Sequence, residues 1–191
     1  MSQTREVIQD GIAEAKTEQS IVKPYVMSHG TMECYSLKES RKFYEEFLGL
    51  ECVRHAKPAM VVRCGLKFHI VAVEVGAAVH PQNVLNHWGL DVGSKAEVDR
   101  VHKEATRNKD KYKIRQVLPV VDQHGVYSFY MEDLDHNWWE VQYYPGFQNE
   151  DLFDFGDRFS MDDGAEVGEL KELSIKTVSY THLRAHETKA N

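Results

Sequence analysis

One pattern of three residues occurs twice in the chain, and it restricts the possible folds more than any other feature. In SHGTMECYSLKE (28–39) a histidine is followed seven residues later by a serine, and that serine three residues later by a glutamate. The same spacing returns in NHWGLDVGSKAE (86–97), 58 residues further along. The matching pairs are His29 and His87, Ser36 and Ser94, and Glu39 and Glu97. A repeat of about this length predicts two copies of one structural unit.

The order of predicted elements is the same in both copies: a strand, a helix and then three strands. Each Ser-x-x-Glu pattern has the form of a capping box, which predicts that a helix begins there. Gly49 stands where a helix C-cap glycine belongs. The predicted strands are Tyr25–Cys34, Glu51–His55, Ala59–Cys64 and Lys67–Val75 in module one (about 25–76), and His87–Val92, Ile114–Val121, Val126–Glu132 and Trp138–Tyr144 in module two (about 85–145). The sequence therefore predicts an α+β fold of two βαβββ modules.

Side-chain alternation along the strands predicts one apolar face and one semi-polar face per strand. This pattern indicates a curved mixed sheet around a cavity, with the helices outside. His29 and His87 fall on the semi-polar face, and so does Glu140 in the last strand. A buried carboxylate is costly unless it is paired or bound to a metal. The pattern therefore favours a metal-binding cavity that contains both histidines and the glutamate.

The same residues carry a family resemblance. The segments SHGTMECYSLKESRKFYEEFLGLE, NHWGLDV and YSFYMEDLDHNWWEVQYY resemble the vicinal oxygen chelate superfamily, which includes glyoxalase I, extradiol dioxygenases, fosfomycin-resistance proteins and bleomycin-resistance proteins. The last segment resembles the closing hairpin of that family, with Leu134 in place of a proline and His136 in place of a glycine. The resemblance implies that His29, His87 and Glu140 are metal ligands, which makes them the predicted trio.

The resemblance also suggests three catalytic candidates. His69 stands where glyoxalase I has an acidic fourth ligand, so it could coordinate weakly or act as an acid or base. Tyr130 precedes Glu140 by ten residues, where extradiol dioxygenases place a tyrosine that faces the substrate. His124 resembles a histidine outside the ligand set of those enzymes, at slightly shorter spacing. For His69 and His124 the alternative is a structural role in the cavity wall or at a hairpin tip.

The predicted function is that of a metal-dependent enzyme, and an extradiol-type ring-cleaving dioxygenase is favoured. Two histidines and one carboxylate leave coordination positions for a catechol, or another substrate with vicinal oxygens, and for dioxygen, which favours Fe²⁺ over Mn²⁺, Zn²⁺ or Ni²⁺. One alternative is a glyoxalase- or epimerase-type lyase or isomerase, for which Glu33, on the same face as His29, could supply the base. The sequence is also compatible with thiol transfer to an antibiotic and with a non-catalytic, drug-sequestering protein.

Charge and hydropathy exclude several classes of partner. The net charge is −7, and residues 146–177 contain nine acidic and three basic side chains. No basic stripe is present to bind nucleic acid, and no run of about 18 apolar residues is present to span a membrane. Three cysteines without CxxC spacing favour a reduced, cytoplasmic setting. The expected partners are a small-molecule substrate and further copies of the chain, in a homodimer or a higher homo-oligomer.

Three segments lie outside the two modules. Residues 1–24 are predicted to form a polar helix or leader. Residues 146–177 are predicted to be an acidic extension that wraps the surface or a partner subunit. The segment VSYTHLRAHET resembles one reading frame of an adapter used in preparing sequencing libraries, so residues 178–191 are interpreted as a non-native tail.

Overall fold

The structure is a computed structural model that describes residues 21–22, 27–65, 68–123, 125–146, 148–160 and 162–166. Its strands are β1 (His29–Cys34), β2 (Glu51–Ala56), β3 (Ala59–Arg63), β4 (His69–Glu74), β5 (His87–Asp91), β6 (Gln116–Val117), β7 (Val121–Gln123), β8 (Val126–Glu132) and β9 (Trp138–Tyr143). Its α-helices are α1 (Leu37–Lys42), α2 (Lys95–Arg107), α3 (Lys109–Tyr112) and α4 (Gln148–Phe155). The predicted elements of residues 1–20 and the tail 178–191 lie outside the described residues.

The strands form two sheets with one topology. The first has the order β1-β4-β3-β2, and the second has the order β5-β9-β8-β6, with β7 also paired to β8. In both sheets the first strand of a module therefore lies beside its last strand. In the first sheet β1 pairs with β4 in parallel, and the other pairs are antiparallel. The expected α+β fold of two βαβββ modules is confirmed, with the strands of each module in a sheet of their own.

By its internal contacts the chain divides into two compact units. Among the described residues, unit one consists of those up to Trp88, Ala105–Val117 and Met131–Trp139, and unit two consists of Gly89–Glu104, Leu118–Tyr130 and those from Glu140 onwards. The core of unit one includes Met32, Cys34, Phe43, Tyr44, Met60, Val62 and Trp139. The core of unit two includes Val98, Val126, Phe129 and Val141, and the His102 ring meets the Phe129 ring edge-on at 5.0 Å.

The helix of module one begins differently from the prediction. Ser36 precedes α1 but makes no side-chain capping bond, so the capping box predicted at Ser36 and Glu39 is wrong. The Leu37 N–H instead donates to the Glu74 carboxylate at 2.7 Å. Glu39 pairs with Lys113 at 3.0 Å. A carboxylate that is distant in the sequence therefore satisfies the first turn, and the local serine is not needed.

In module two the predicted cap forms in part. The Ser94 hydroxyl accepts the Glu97 N–H at 3.1 Å, as an N-cap serine does. The Glu97 carboxylate does not return to the cap, since it binds Arg100 at 2.5 Å.

A buried carboxylate pair anchors the hairpin between β8 and β9 to the helix of module one. Asp133 accepts the N–H groups of Asp135 and Asn137 and the indole N–H of Trp139, at 2.8 to 2.9 Å. Asp135 accepts the Ser40 hydroxyl at 2.5 Å and the Tyr35 N–H at 2.8 Å. Burial raises the pKa of both carboxyls, and the charge of Asp135 raises the pKa of Asp133 further, to about 7. All these residues belong to unit one.

His136 takes a backbone conformation that usually favours glycine. Its φ of 65° lies in the left-handed region, which residues other than glycine seldom adopt. Its Nδ1 lies 2.6 Å from the Glu132 carboxylate, and its carbonyl accepts the Gln82 N–H at 3.1 Å. These contacts hold the turn where the family pattern has a glycine, so the substitution noted in the sequence leaves the hairpin formed.

Candidate functional site

His29 and His69 are neighbours on adjacent parallel strands. They are register partners in the β1–β4 pair, so their side chains leave the sheet on the same face. Their rings stack with centroids 5.5 Å apart and planes 15° apart. The Ser28 hydroxyl lies 2.8 Å from His29 Nδ1. The structure therefore brings together one predicted metal ligand and one predicted catalytic residue within unit one.

His87 opens β5 and is half-buried. Its Nδ1 lies 2.7 Å from the Val84 carbonyl, which can only accept a hydrogen bond, so Nδ1 must carry the proton. In a neutral imidazole this fixes the lone pair on Nε2. A backbone carbonyl that fixes the tautomer in this way is a common feature of histidines that ligate metals.

Glu140 and Tyr130 both belong to unit two, and the Glu140 carboxylate raises the pKa of the Tyr130 phenol. Glu140 lies in β9 with only 9% of its surface exposed, and Tyr130 lies in the neighbouring strand β8. Burial first, and then the hydrogen bond to Glu140, raise the pKa of Tyr130 to about 12. The phenol is therefore protonated at neutral pH and available as a hydrogen-bond donor.

Ser128 is a functional candidate that the sequence pattern did not single out. Its hydroxyl is buried and has no hydrogen-bond partner of normal geometry within the described part of the chain, although it lies close enough to Tyr130 to lower the pKa of that phenol slightly. Since it precedes Tyr130 by two residues in β8, it shares the face that carries the phenol. Strand alternation could have identified it, because a serine between Val126 and Tyr130 is a polar residue on that face.

The three predicted ligands are divided between the two units. His29 and His87 belong to unit one, and Glu140 belongs to unit two. Within the described ranges no group of three or more His, Cys, Asp or Glu side chains is spaced to hold a metal ion. The trio therefore stays a prediction. His124, the third catalytic candidate, lies outside the described residues.

Glu33, which could supply the base for the lyase or isomerase alternative, forms hydrogen bonds with His80. Its carboxylate accepts the His80 N–H at 2.8 Å and lies 2.9 Å from His80 Nδ1. These two hydrogen bonds hold the pKa of Glu33 below its usual value. A carboxylate whose charged form is stabilised in this way is a weaker base than an ordinary glutamate.

Comparison with known proteins finds similarity in structure alone. No family model matches the sequence, and no curated protein matches it. The genomically encoded fosfomycin resistance protein FosX from Listeria monocytogenes is similar over 68% of this chain and 99% of its own, with a TM-score of 0.51 at 20% identity. A glyoxalase/bleomycin resistance protein/dioxygenase from Nocardioides is similar over 80% of this chain and 93% of its own, with a TM-score of 0.50 at 15% identity.

The chain has the fold of these two proteins. The fold implied by the sequence resemblance is therefore confirmed. At these identities the similarity establishes the fold alone and leaves the reaction open. Among the described residues no helix is long and apolar enough to cross a membrane.

Proposed function

We propose that this protein is a metal-dependent enzyme with extradiol-type dioxygenase activity on a catechol or another substrate with vicinal oxygens. The proposed metal ligands are His29, His87 and Glu140. The proposed catalytic residues are Tyr130, His69 and His124. The observation that carries the proposal is the position of the buried Glu140 in β9 beside Tyr130 in the neighbouring strand β8, because it places a protonated phenol near a proposed ligand.

The donor set fits a divalent ion of the first transition series. Two imidazoles and one carboxylate are ligands that Fe²⁺ accepts, and Mn²⁺, Zn²⁺ and Ni²⁺ also bind such sets. His87 presents the lone pair of Nε2, as the bond from Nδ1 to Val84 requires. A bound Fe²⁺ would hold both oxygens of the substrate and supply redox chemistry with dioxygen.

The protein side chains would control protons and orientation. Tyr130, whose phenol is protonated at neutral pH, would donate a hydrogen bond to a substrate oxygen. His69 stacks against His29 at 5.5 Å, which would place an acid or base beside a proposed ligand. A positioned general acid or base typically contributes about 10²- to 10⁴-fold to a rate.

Oxygen-dependent chemistry is favoured over the lyase or isomerase alternative by two features. Position 69 is a histidine, where glyoxalase I has an acidic residue. Glu33, the substitute base, is engaged by His80. We also infer a small-molecule substrate, a homodimer or higher homo-oligomer, and a cytoplasmic location, which stay predictions from the sequence.

The test is turnover of a panel of catechols by Fe²⁺-loaded protein with and without oxygen. The coloured ring-fission product should form only aerobically. Tyr130→Phe should lower kcat by about 100-fold or more, since it removes the proposed proton donor. Tyr127→Phe is the matched control, because Tyr127 lies in the same strand and binds the Asp99 carboxylate at 2.8 Å.

The control variant should retain activity within about twofold, because β-strand alternation points Tyr127 to the opposite face from Tyr130. Substrate consumption at equal rates with and without oxygen would contradict the dioxygenase proposal. Equal activity of Tyr130→Phe and wild type would remove Tyr130 from the mechanism.

A further inference from the structure

A cavity of about 300 Å³ lies within unit one, at the end of β1 and beside the segment that leads into β5. This volume is at the lower end of the range for small-molecule sites. Its lining includes Thr31, Glu33, Gln82, Asn86, Trp88 and Asn137. Apart from Glu33, considered above as a base, none of these residues has been assigned a role in metal binding or catalysis.

The wall formed by Gln82 is fixed at four points. Its N–H donates to the His136 carbonyl at 3.1 Å, and its carbonyl accepts the Trp138 indole N–H at 3.1 Å. Its side-chain nitrogen donates to the His80 carbonyl at 3.1 Å, and its side-chain oxygen accepts the Asn86 amide at 2.6 Å. A wall held in this way is preformed, so a ligand would not have to order it on binding.

The side-chain amides of the wall donate hydrogen bonds to other protein groups. Asn86 donates to Gln82, Gln82 donates to the His80 carbonyl, and Asn137 donates to the Glu33 carbonyl at 2.9 Å. Each of these bonds uses one amide N–H, and the side-chain oxygens of Asn86 and Asn137 are acceptors in the lining, together with the Glu33 carboxylate.

The lining of the cavity is negatively charged. Glu33 is the charged side chain of the lining, and no lysine or arginine is present among the described residues that form it. Trp88 supplies an aromatic ring that lies close against Gly30. A Cβ at position 30 would come within 2.4 Å of the indole. A carboxylate, amide oxygens and an indole together are complementary to a cation that donates hydrogen bonds and has an apolar body.

We propose that this cavity binds an organic primary ammonium. The ammonium group donates hydrogen bonds to Glu33 and to the oxygen of Asn86, and the carbon body of the ligand lies against Trp88. His80 competes with the ligand for Glu33, since its imidazole, whose side chain is 80% exposed, rests on the same carboxylate.

The probe is benzylamine, compared at neutral pH with benzyl alcohol and benzoate, which have the same ring and a different charge. Binding is measured by calorimetry in the presence of a chelator, so that the result does not depend on the metal proposed above. Benzylamine should bind at least about tenfold more tightly than benzyl alcohol, because a hydrogen bond to a charged group is the stronger kind. Benzoate should not bind.

Three variants test the assignment. Glu33→Gln should remove the preference for benzylamine over benzyl alcohol. Glu51→Gln is the matched control, since Glu51 is an exposed carboxylate of the same sheet, paired with Arg63 at 2.7 Å, and it should leave the preference intact. His80→Ala should keep or strengthen benzylamine binding, because it removes the competitor. Binding of benzoate as tight as that of benzylamine, or an unchanged preference in Glu33→Gln, would overturn the proposal.

Discussion

The contribution of the buried Asp133 carboxyl to the stability of the protein should fall as the pH rises towards neutrality. Its pKa is raised from 3.8 to about 7 by burial first and then by the charge of Asp135. The folded state therefore retains a proton that the unfolded chain has already lost between these two values. The contribution of Asp133 to the free energy of unfolding is largest below about pH 4 and is lost as the pH rises to about 7.

The magnitude follows from the same two values. The pKa rises by about three units, and each unit corresponds to about 1.4 kcal/mol, so the loss approaches about 4 kcal/mol. Because Asp135 titrates beside it, the pair shares this effect. Urea unfolding at a series of pH values measures it directly, as a decline in the extrapolated free energy of unfolding.

Asp133→Asn removes this carboxyl and leaves every other titratable group in place. The variant therefore isolates the contribution of Asp133 to the pH dependence. The amide oxygen can still accept the N–H groups of Asp135 and Asn137, but the indole N–H of Trp139 loses its acceptor, at a cost of about 1–3 kcal/mol. The variant should therefore be less stable than the wild type at low pH. Its free energy of unfolding should decline much less as the pH rises. The exposed Asp110→Asn is the control and should keep it. An identical decline in wild type and Asp133→Asn would refute the reasoning.

Two further predictions concern packing and capping. Gly30→Ala should cost about 1–3 kcal/mol, measured by thermal unfolding, because its Cβ would lie 2.4 Å from the Trp88 ring; an unchanged Tm would contradict this contact. Ser94→Ala should cost about 1 kcal/mol, while Ser36→Ala should be nearly neutral, because Ser94 alone of the two caps its helix. Equal losses in urea unfolding of the two serine variants would show that this difference is wrong.

The repeat allowed the architecture to be predicted, because both modules obey one strand order. Strand β8 has its predicted bounds, Val126–Glu132, and β9 ends one residue early at Tyr143. The rings of Phe43 and Phe47, four residues apart, stack at 5.4 Å. Local periodicity was sufficient here because each element buries one regular face.

Further features depend on contacts that are distant in the sequence. The predicted strand Ile114–Val121 is divided into β6 and β7, with Pro119, which has no N–H to donate to a sheet, between them. The first turn of α1 uses Glu74 in place of Ser36, and no local pattern reveals that partner. The predicted acidic extension contains α4, which no sequence pattern indicated.

For the candidate site, the sequence identified residue types and the structure added their neighbours. The parallel register of His29 and His69 depends on how β1 pairs with β4, which no single strand specifies. The engagement of Glu33 by His80 likewise joins residues 47 positions apart. Such pairings change which residues can act as bases.

Metal binding tests the central claim most directly. Anaerobic equilibrium dialysis with Fe²⁺, followed by measurement of metal content, should give one ion per chain for the wild type. Glu140→Gln keeps the size of the side chain and removes the charged ligand, so affinity should fall by more than about tenfold. His80→Ala, which removes an exposed histidine outside the proposed trio, should bind as the wild type does. Full metal content in Glu140→Gln would contradict the account.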